Sequence, residues 1–126
     1  MEERYDPQNI IELDKGTARK IYVTIYDDDG EVFVPGNGVV CKLGVKHDPD
    51  QTSYDIIKTG TYDSTDGCYV FTLTASDTSS LQAKLYGERY WYDVGIRMSN
   101  GDPYKPITST PFILYSGVTD MTEVSS

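Results

Sequence analysis

The run "DGCYVFTLTASDTSSL" at residues 66–81, followed by "YWYDVGI" at 90–96, decides the fold class. In the first, Tyr69, Phe71 and Leu73 recur with period two, the repeat of a half-buried β-strand. Cys68 takes the opposite face. The strand stops at "ASDTSSL", where Ser76 or Asp77 is expected to cap one helical turn. The stretch around it, "SDTSSLQAKL", is too poor in apolar residues for a free-standing helix, so it reads as a short crossing between two sheets. In the second run Tyr90, Tyr92, Val94, Ile96 and Met98 share one face.

The same period extends outward in both directions. "RKIYVTIYD" places Ile21, Val23 and Ile25 on one face and Tyr22, Thr24 and Tyr26 on the other, and "DDDG" at 27–30 ends it as an Asp-Gly turn. "EVFVPGNG" reads as a short strand ended by Pro35 and Gly36. "VVCKLGV" sets Val39, Cys41, Leu43 and Val45 on one face. "YDIIK" is a short edge strand, "TYDSTDG" a turn, "SNGDPYKP" another turn and "TPFILYS" the last strand. About seven strands separated by turn signals imply an all-β chain, an antiparallel β-sandwich of immunoglobulin type. One domain is expected over 1–126, with short polar arms at both ends.

In such a sandwich "SDTSSL" and "YWYDV" occupy the crossing from the fifth to the sixth strand. A Tyr there often hydrogen-bonds back to the corner. Tyr90 or Tyr92 is expected in that part, with Thr78 ordering the turn. A catalytic use of Asp77, Thr78 and Asp93 is the weaker alternative.

The 126 residues suffice for a real core, and 38% hydrophobic with 25% charged residues is ordinary for a globular protein. The net charge of −9 argues against a nucleic-acid partner, since phosphate binding needs a basic patch. No apolar run reaches the roughly 20 residues that span a bilayer. "MEERYDPQNI" lacks the basic and apolar regions of a signal peptide, which predicts a protein made in the cytoplasm.

Catalytic and cofactor motifs are not legible. There is no G-x-S-x-G, no phosphate-cradling glycine loop and no C-x-x-C pair. His47, the one histidine, reads as a solvated loop residue. The two cysteines, Cys41 inward and Cys68 outward, are not expected to bond. No enzyme, cofactor or metal is therefore predicted. Asp27 to Asp29, Asp48 with Asp50, and Asp63 with Asp66 fit turn chemistry, with a calcium site as the alternative.

The outward faces carry the functional hint. Trp91 points away from the core set, as do Ile113 and Tyr115 beside Phe112 and Leu114. These three are candidates for one exposed apolar patch, and Tyr22 with Tyr26 for a smaller one. Such patches mark interfaces, with Trp and Tyr as anchors, unless long neighbours such as Lys42 and Arg97 cover the rings.

The ordered motifs extend this. Asp27 to Gly30, Val45-Lys46, Asp66 to Thr78, Leu81, Tyr90 to Val94, Gly101, Phe112 to Leu114 and Val118-Thr119 together resemble the N-terminal Ig-like domain of tailed-phage upper baseplate proteins. The likeness runs over about residues 13–119; each piece is short, and specificity lies in their order and spacing. It implies a structural virion protein that anchors host-binding apparatus to baseplate or tail by protein–protein contacts. Its partners would be other virion proteins in a multi-copy or homo-oligomeric assembly, without nucleic acid or membrane insertion. The polar ends "MEERYDPQ" and "VTDMTEVSS" would dock on neighbouring subunits. The family's coiled-coil linker and distal module have no counterpart in "DMTEVSS", so receptor binding is not assigned to this chain. A capsid-decorating or head-fibre protein, and a carbohydrate-binding β-sandwich module, are the alternatives.

Overall fold

Inward-facing residues of eight strands build a single hydrophobic cluster between two sheets in the computed structural model, which describes residues 9–116. The strands are β1 (Ile11–Asp14), β2 (Arg19–Val23), β3 (Val40–Lys46), β4 (Ile56–Thr59), β5 (Thr61–Asp63), β6 (Cys68–Leu73), β7 (Glu88–Arg97) and β8 (Pro103–Tyr115), with one helical turn, α1 (Ala75–Ser79). A five-stranded sheet runs β1-β8-β7-β3-β4 and a three-stranded sheet runs β2-β6-β5. The terminal arms and the Val118-Thr119 motif lie outside the described residues.

Period two does what the sequence demands. Tyr69, Phe71 and Leu73 of β6 are buried, and so are Tyr90, Tyr92, Val94 and Ile96 of β7. Register brings them onto matching partners: Ile21 faces Phe71, Leu43 faces Val94, Val45 faces Tyr92 and Phe112 faces Tyr90. Each fully buried side chain of this size contributes about 1.5–3 kcal/mol. The chain changes sheets between β6 and β7 through α1, as expected. Tyr90 Oη donates to the Gln82 carbonyl at 2.8 Å and ties the crossing to the start of β7. Tyr92 Oη donates to the Asn9 carbonyl.

Several expectations are corrected. Among the described residues there are eight strands, where about seven were expected, and the five-stranded sheet is mixed, because β1 pairs parallel with β8. The strand expected at 31–34 reduces to a single bridge between Tyr26 and Val32. The "TYD" expected in a turn is β5. The helical turn is capped by Thr74, whose backbone N–H donates to Asp77 Oδ2 at 2.7 Å, with Asp77 at the third helical position. Cys68 does take the face opposite Phe71, yet it is buried at that end of β6, and both cysteines are buried and unbonded. Burial pushes the Cys41 thiol up to about 12 and raises Cys68 as well, aided by Asp63 and Asp66, so both stay protonated and inert.

The last strand departs furthest. It begins at Pro103, inside the expected turn. Between Thr110 and Ile107 it takes three steps while β7 takes two, from Tyr92 to Val94; the same happens between Ile107 and Tyr104. These bulges hold Ser109 at φ 43°, a left-handed conformation for a side chain that prefers otherwise. β1 pairs only with Phe112 to Tyr115, so the first half of β8 has an edge on that side among the described residues. Pro103 and Pro106 are tolerated there because an edge needs no donor.

Candidate interaction surface

The outer face of the five-stranded sheet is built from the alternate residues of its strands. β7 contributes Arg89, Trp91, Asp93, Gly95 and Arg97. β3 sets Lys46 opposite Trp91, Gly44 opposite Asp93, Lys42 opposite Gly95 and Val40 opposite Arg97. On β4, Ile57 stands opposite Gly44.

Two glycines shape this face. A Cβ on Gly44 would stand 2.4 Å from Tyr54 Cε1, so only glycine lets that ring lie against the sheet. At Gly95 the nearest atom to such a Cβ is Lys105 Cγ at 3.9 Å, which leaves a bare stretch of backbone. The result is a trough of about 380 Å³ over Gly44 and Gly95, walled by Tyr54 and Ile57. It continues past Tyr54 into a second recess of about 220 Å³ reaching Trp91 and Ser109. Ile57 is 51% exposed and Tyr54 44%.

Charge on this face opposes that of the whole chain. Lys42, Lys46, Arg97 and Lys105 line the trough or its continuation, against one carboxylate, Asp93. Lys105 Nζ meets Asp93 Oδ2 at 2.9 Å, which holds the ammonium above its ordinary value. Lys46 Nζ lies 4.7 Å from the Tyr54 ring centre, a cation–π contact worth about 0.5–1 kcal/mol at an exposed site. Lys42 and Arg97 have no ion-pair partner among the described residues. A trough that is aromatic, cationic and open to solvent is chemically suited to an acidic protein segment with apolar side chains.

The residues singled out from the sequence fall in three places. Trp91 is half-buried over the fully buried Pro111, with the Arg89 guanidinium 5.5 Å from its ring. Ile113 and Tyr115 are also half-buried on this face. Ile113 sits between Glu12 and Arg89, and Tyr115 Oη donates to Glu12 Oε1 at 2.7 Å. Charged neighbours therefore divide what was expected as one open apolar patch. Tyr22 and Tyr26 are 59% and 56% exposed and line a separate recess with Tyr104 and Ile107. Sequence reasoning missed Tyr54 and Ile57. The available signal was a pair of strand-interior glycines at outward positions, which often mark close approach by another backbone or a ligand.

His47 is an exposed loop residue, as expected, but it is engaged. Its Nε2 lies 2.6 Å from Glu88 Oε2 and its ring packs against Tyr90, with centres 4.6 Å apart. Lys84 Nζ reaches the other Glu88 oxygen at 3.1 Å. The cluster pins the β3–β4 loop to the start of β7, and hydrogen bonds from His47 and Lys84 hold the Glu88 carboxyl below its ordinary value. Tyr90 beside it is committed to Gln82.

The aspartate turns are internally engaged. Asp27 Oδ1 accepts the N–H groups of Asp29 and Glu31, Asp48 Oδ1 that of Asp50, and Asp63 Oδ1 those of Thr65 and Asp66. Turn chemistry accounts for these residues. Among the described residues no three His, Cys, Asp or Glu side chains group as metal ligands, and no helix is long and apolar enough to cross a membrane.

No protein-family model matches the chain, and no curated protein matches it.

Proposed function

We propose that this chain is an immunoglobulin-like structural subunit of a tailed-phage virion, docking host-binding apparatus to the baseplate or tail by protein–protein contacts. The observation that carries the docking role is the aromatic and cationic trough across the five-stranded sheet of an acidic chain. Contiguous apolar surface rimmed by charge is the usual mark of an interface. The immunoglobulin-like assignment draws support from the sheet order, β1-β8-β7-β3-β4 against β2-β6-β5, and from the Tyr90 bond to the Gln82 carbonyl at the crossing. The virion assignment draws on the ordered motif resemblance alone. In this account the protein is non-catalytic, needs no cofactor, works in multiple copies beside other virion proteins and is made in the host cytoplasm.

Immunogold electron microscopy of particles from a culture expressing the gene tests this. Label at the tail tip or baseplate supports it. Label on the capsid transfers the protein to a head-decorating role, and particles without label overturn the virion role.

One observation favours a second reading. The exposed Tyr54 ring lies against the Gly44 floor, an arrangement on which a sugar ring can stack. A glycan array with a clear hit that Tyr54→Ala abolishes would assign a carbohydrate-binding module instead.

A further inference from the structure

We infer that the trough takes the acidic hairpin of a second copy of this chain, so that subunits join head to tail. This rests on the docking role proposed above and names its partner.

The hairpin spans residues 26–34. Its Tyr26–Val32 bridge is closed by Asp27 N–H donating to the Glu31 carbonyl at 2.8 Å, with Gly30 at φ 81° in the turn. The tip presents Asp27, Asp28, Asp29 and Glu31, all exposed. Only Asp27 has a side-chain partner among the described residues, through its own turn. Beside the tip stand apolar side chains that ordinary burial would cover: Tyr26, Val32 at 41% and Val34 at 71% exposure. The trough offers the reverse: four cations, two of them without an ion-pair partner among the described residues, around exposed Tyr54 and Ile57. The two surfaces therefore complement each other in charge and in apolar content at once.

The hairpin does not fill its own trough. A Cβ on Gly67, in the β5–β6 turn, would stand 3.5 Å from Val32 Cγ1, so the hairpin lies with the three-stranded sheet. The trough is on the outward face of the other sheet. Contact must pass between molecules. Because it joins two different surfaces it is heterologous, and repeats into a ring or a filament. Exposed ion pairs at its rim make it weaken with salt.

The test is light scattering and sedimentation of the full chain from micromolar to millimolar concentration. At low salt the mass should rise from the 14.1 kDa monomer to dimer and beyond, and fall back at high salt. Lys42→Glu with Arg97→Glu should remain monomeric, and so should Asp28→Lys with Glu31→Lys. These sites are exposed, and circular dichroism checks that each variant folds. Mixed together, the two variants retain one intact trough and one intact hairpin between them. The reversed trough and the reversed hairpin also match in sign, so the mixture should associate in one-to-one alternation and grow beyond the dimer as the wild type does. A chain carrying all four changes should again self-associate. A wild type that stays monomeric throughout overturns the inference, as do a mixture that stays monomeric or a trough variant that assembles normally. Binding of an acidic glycan or polyglutamate that leaves self-association absent overturns it too. Tail labelling of a monomeric protein would sink only this contact, while a self-associating protein missing from virions would sink only the virion role.

Discussion

Thr78 Oγ1 accepts the backbone N–H of Gly16 at 2.8 Å, joining α1 to the β1–β2 turn across 62 residues of sequence. Thr78 is fully buried. One side chain thus orders the crossing between sheets and satisfies a backbone donor on the neighbouring turn. Thr78→Val keeps the shape and leaves that N–H without its acceptor, which costs about 1–3 kcal/mol. Thr78→Ser keeps the oxygen and should lose clearly less. Urea denaturation of the two variants checks this; equal losses would mean that the methyl group, not the bond, matters.

Two buried tyrosines should behave in opposite ways. Tyr90 Oη donates to Gln82, and Tyr90→Phe should cost about 1 kcal/mol. Tyr69 Oη is buried with no hydrogen-bond partner among the described residues. Burial, with Cys41 and Tyr62 nearby, pushes it up to about 12. Tyr69→Phe removes an unsatisfied group and should leave stability unchanged or higher. Thermal midpoints of the two variants, measured side by side, decide it.

Gly60 and Gly44 both face rings, with different consequences. A Cβ on Gly60 would come within 2.8 Å of the fully buried Phe71 ring, which has nowhere to go. Gly60→Ala should cost about 1–3 kcal/mol by overpacking. At Gly44 the ring belongs to half-exposed Tyr54, which can swing outward. Gly44→Ala should therefore disturb the trough more than the fold, seen as a small change in midpoint with a changed tyrosine fluorescence.

Acid should weaken the fold through Glu88. Its carboxyl lies below the ordinary value of 4.5, through hydrogen bonds from His47 and then Lys84. A depressed carboxyl contributes stability that is whole above about pH 4.5 and is lost as pH falls through the folded value. Asp77 adds in the same direction: burial works against its charge, but Lys58 and two bonds from Thr74 outweigh it. Urea midpoints should fall below pH 4.5, and Glu88→Gln should flatten that fall. An unchanged pH profile in the variant would remove Glu88 from the account.

What the sequence displayed was whatever lies close along the chain. β6, β7 and the Tyr90 corner were legible because three or more apolar residues alternate there without interruption. β1 was not, since Ile11 and Leu13 are a pattern of two residues, and its meaning depends on Phe112 and Leu114 about a hundred residues away. β5 looked like a turn because "TYD" carries no apolar alternation and leads straight into "STDG". The bulges of β8 hid behind Pro103 and Pro106, which ordinarily end a strand. The partner of the exposed His47 was hidden because Glu88 stands 41 residues on. The trough was the least legible of all. It forms only when Gly44 of β3, Gly95 of β7, Ile57 of β4 and the loop residue Tyr54 meet through the register of three strands, and no stretch of sequence contains that register.

The most direct test of the docking surface is zero-length carbodiimide cross-linking of an equal mixture of ordinary and isotope-labelled protein, read by mass spectrometry. Lys42 and Lys105 should join to Asp28, Asp29 or Glu31, in peptide pairs carrying one labelled and one unlabelled half. Those mixed pairs would place the hairpin of one copy in the trough of the next. Cross-links confined to single molecules, or mixed pairs that avoid Lys42 and Lys105, would contradict it.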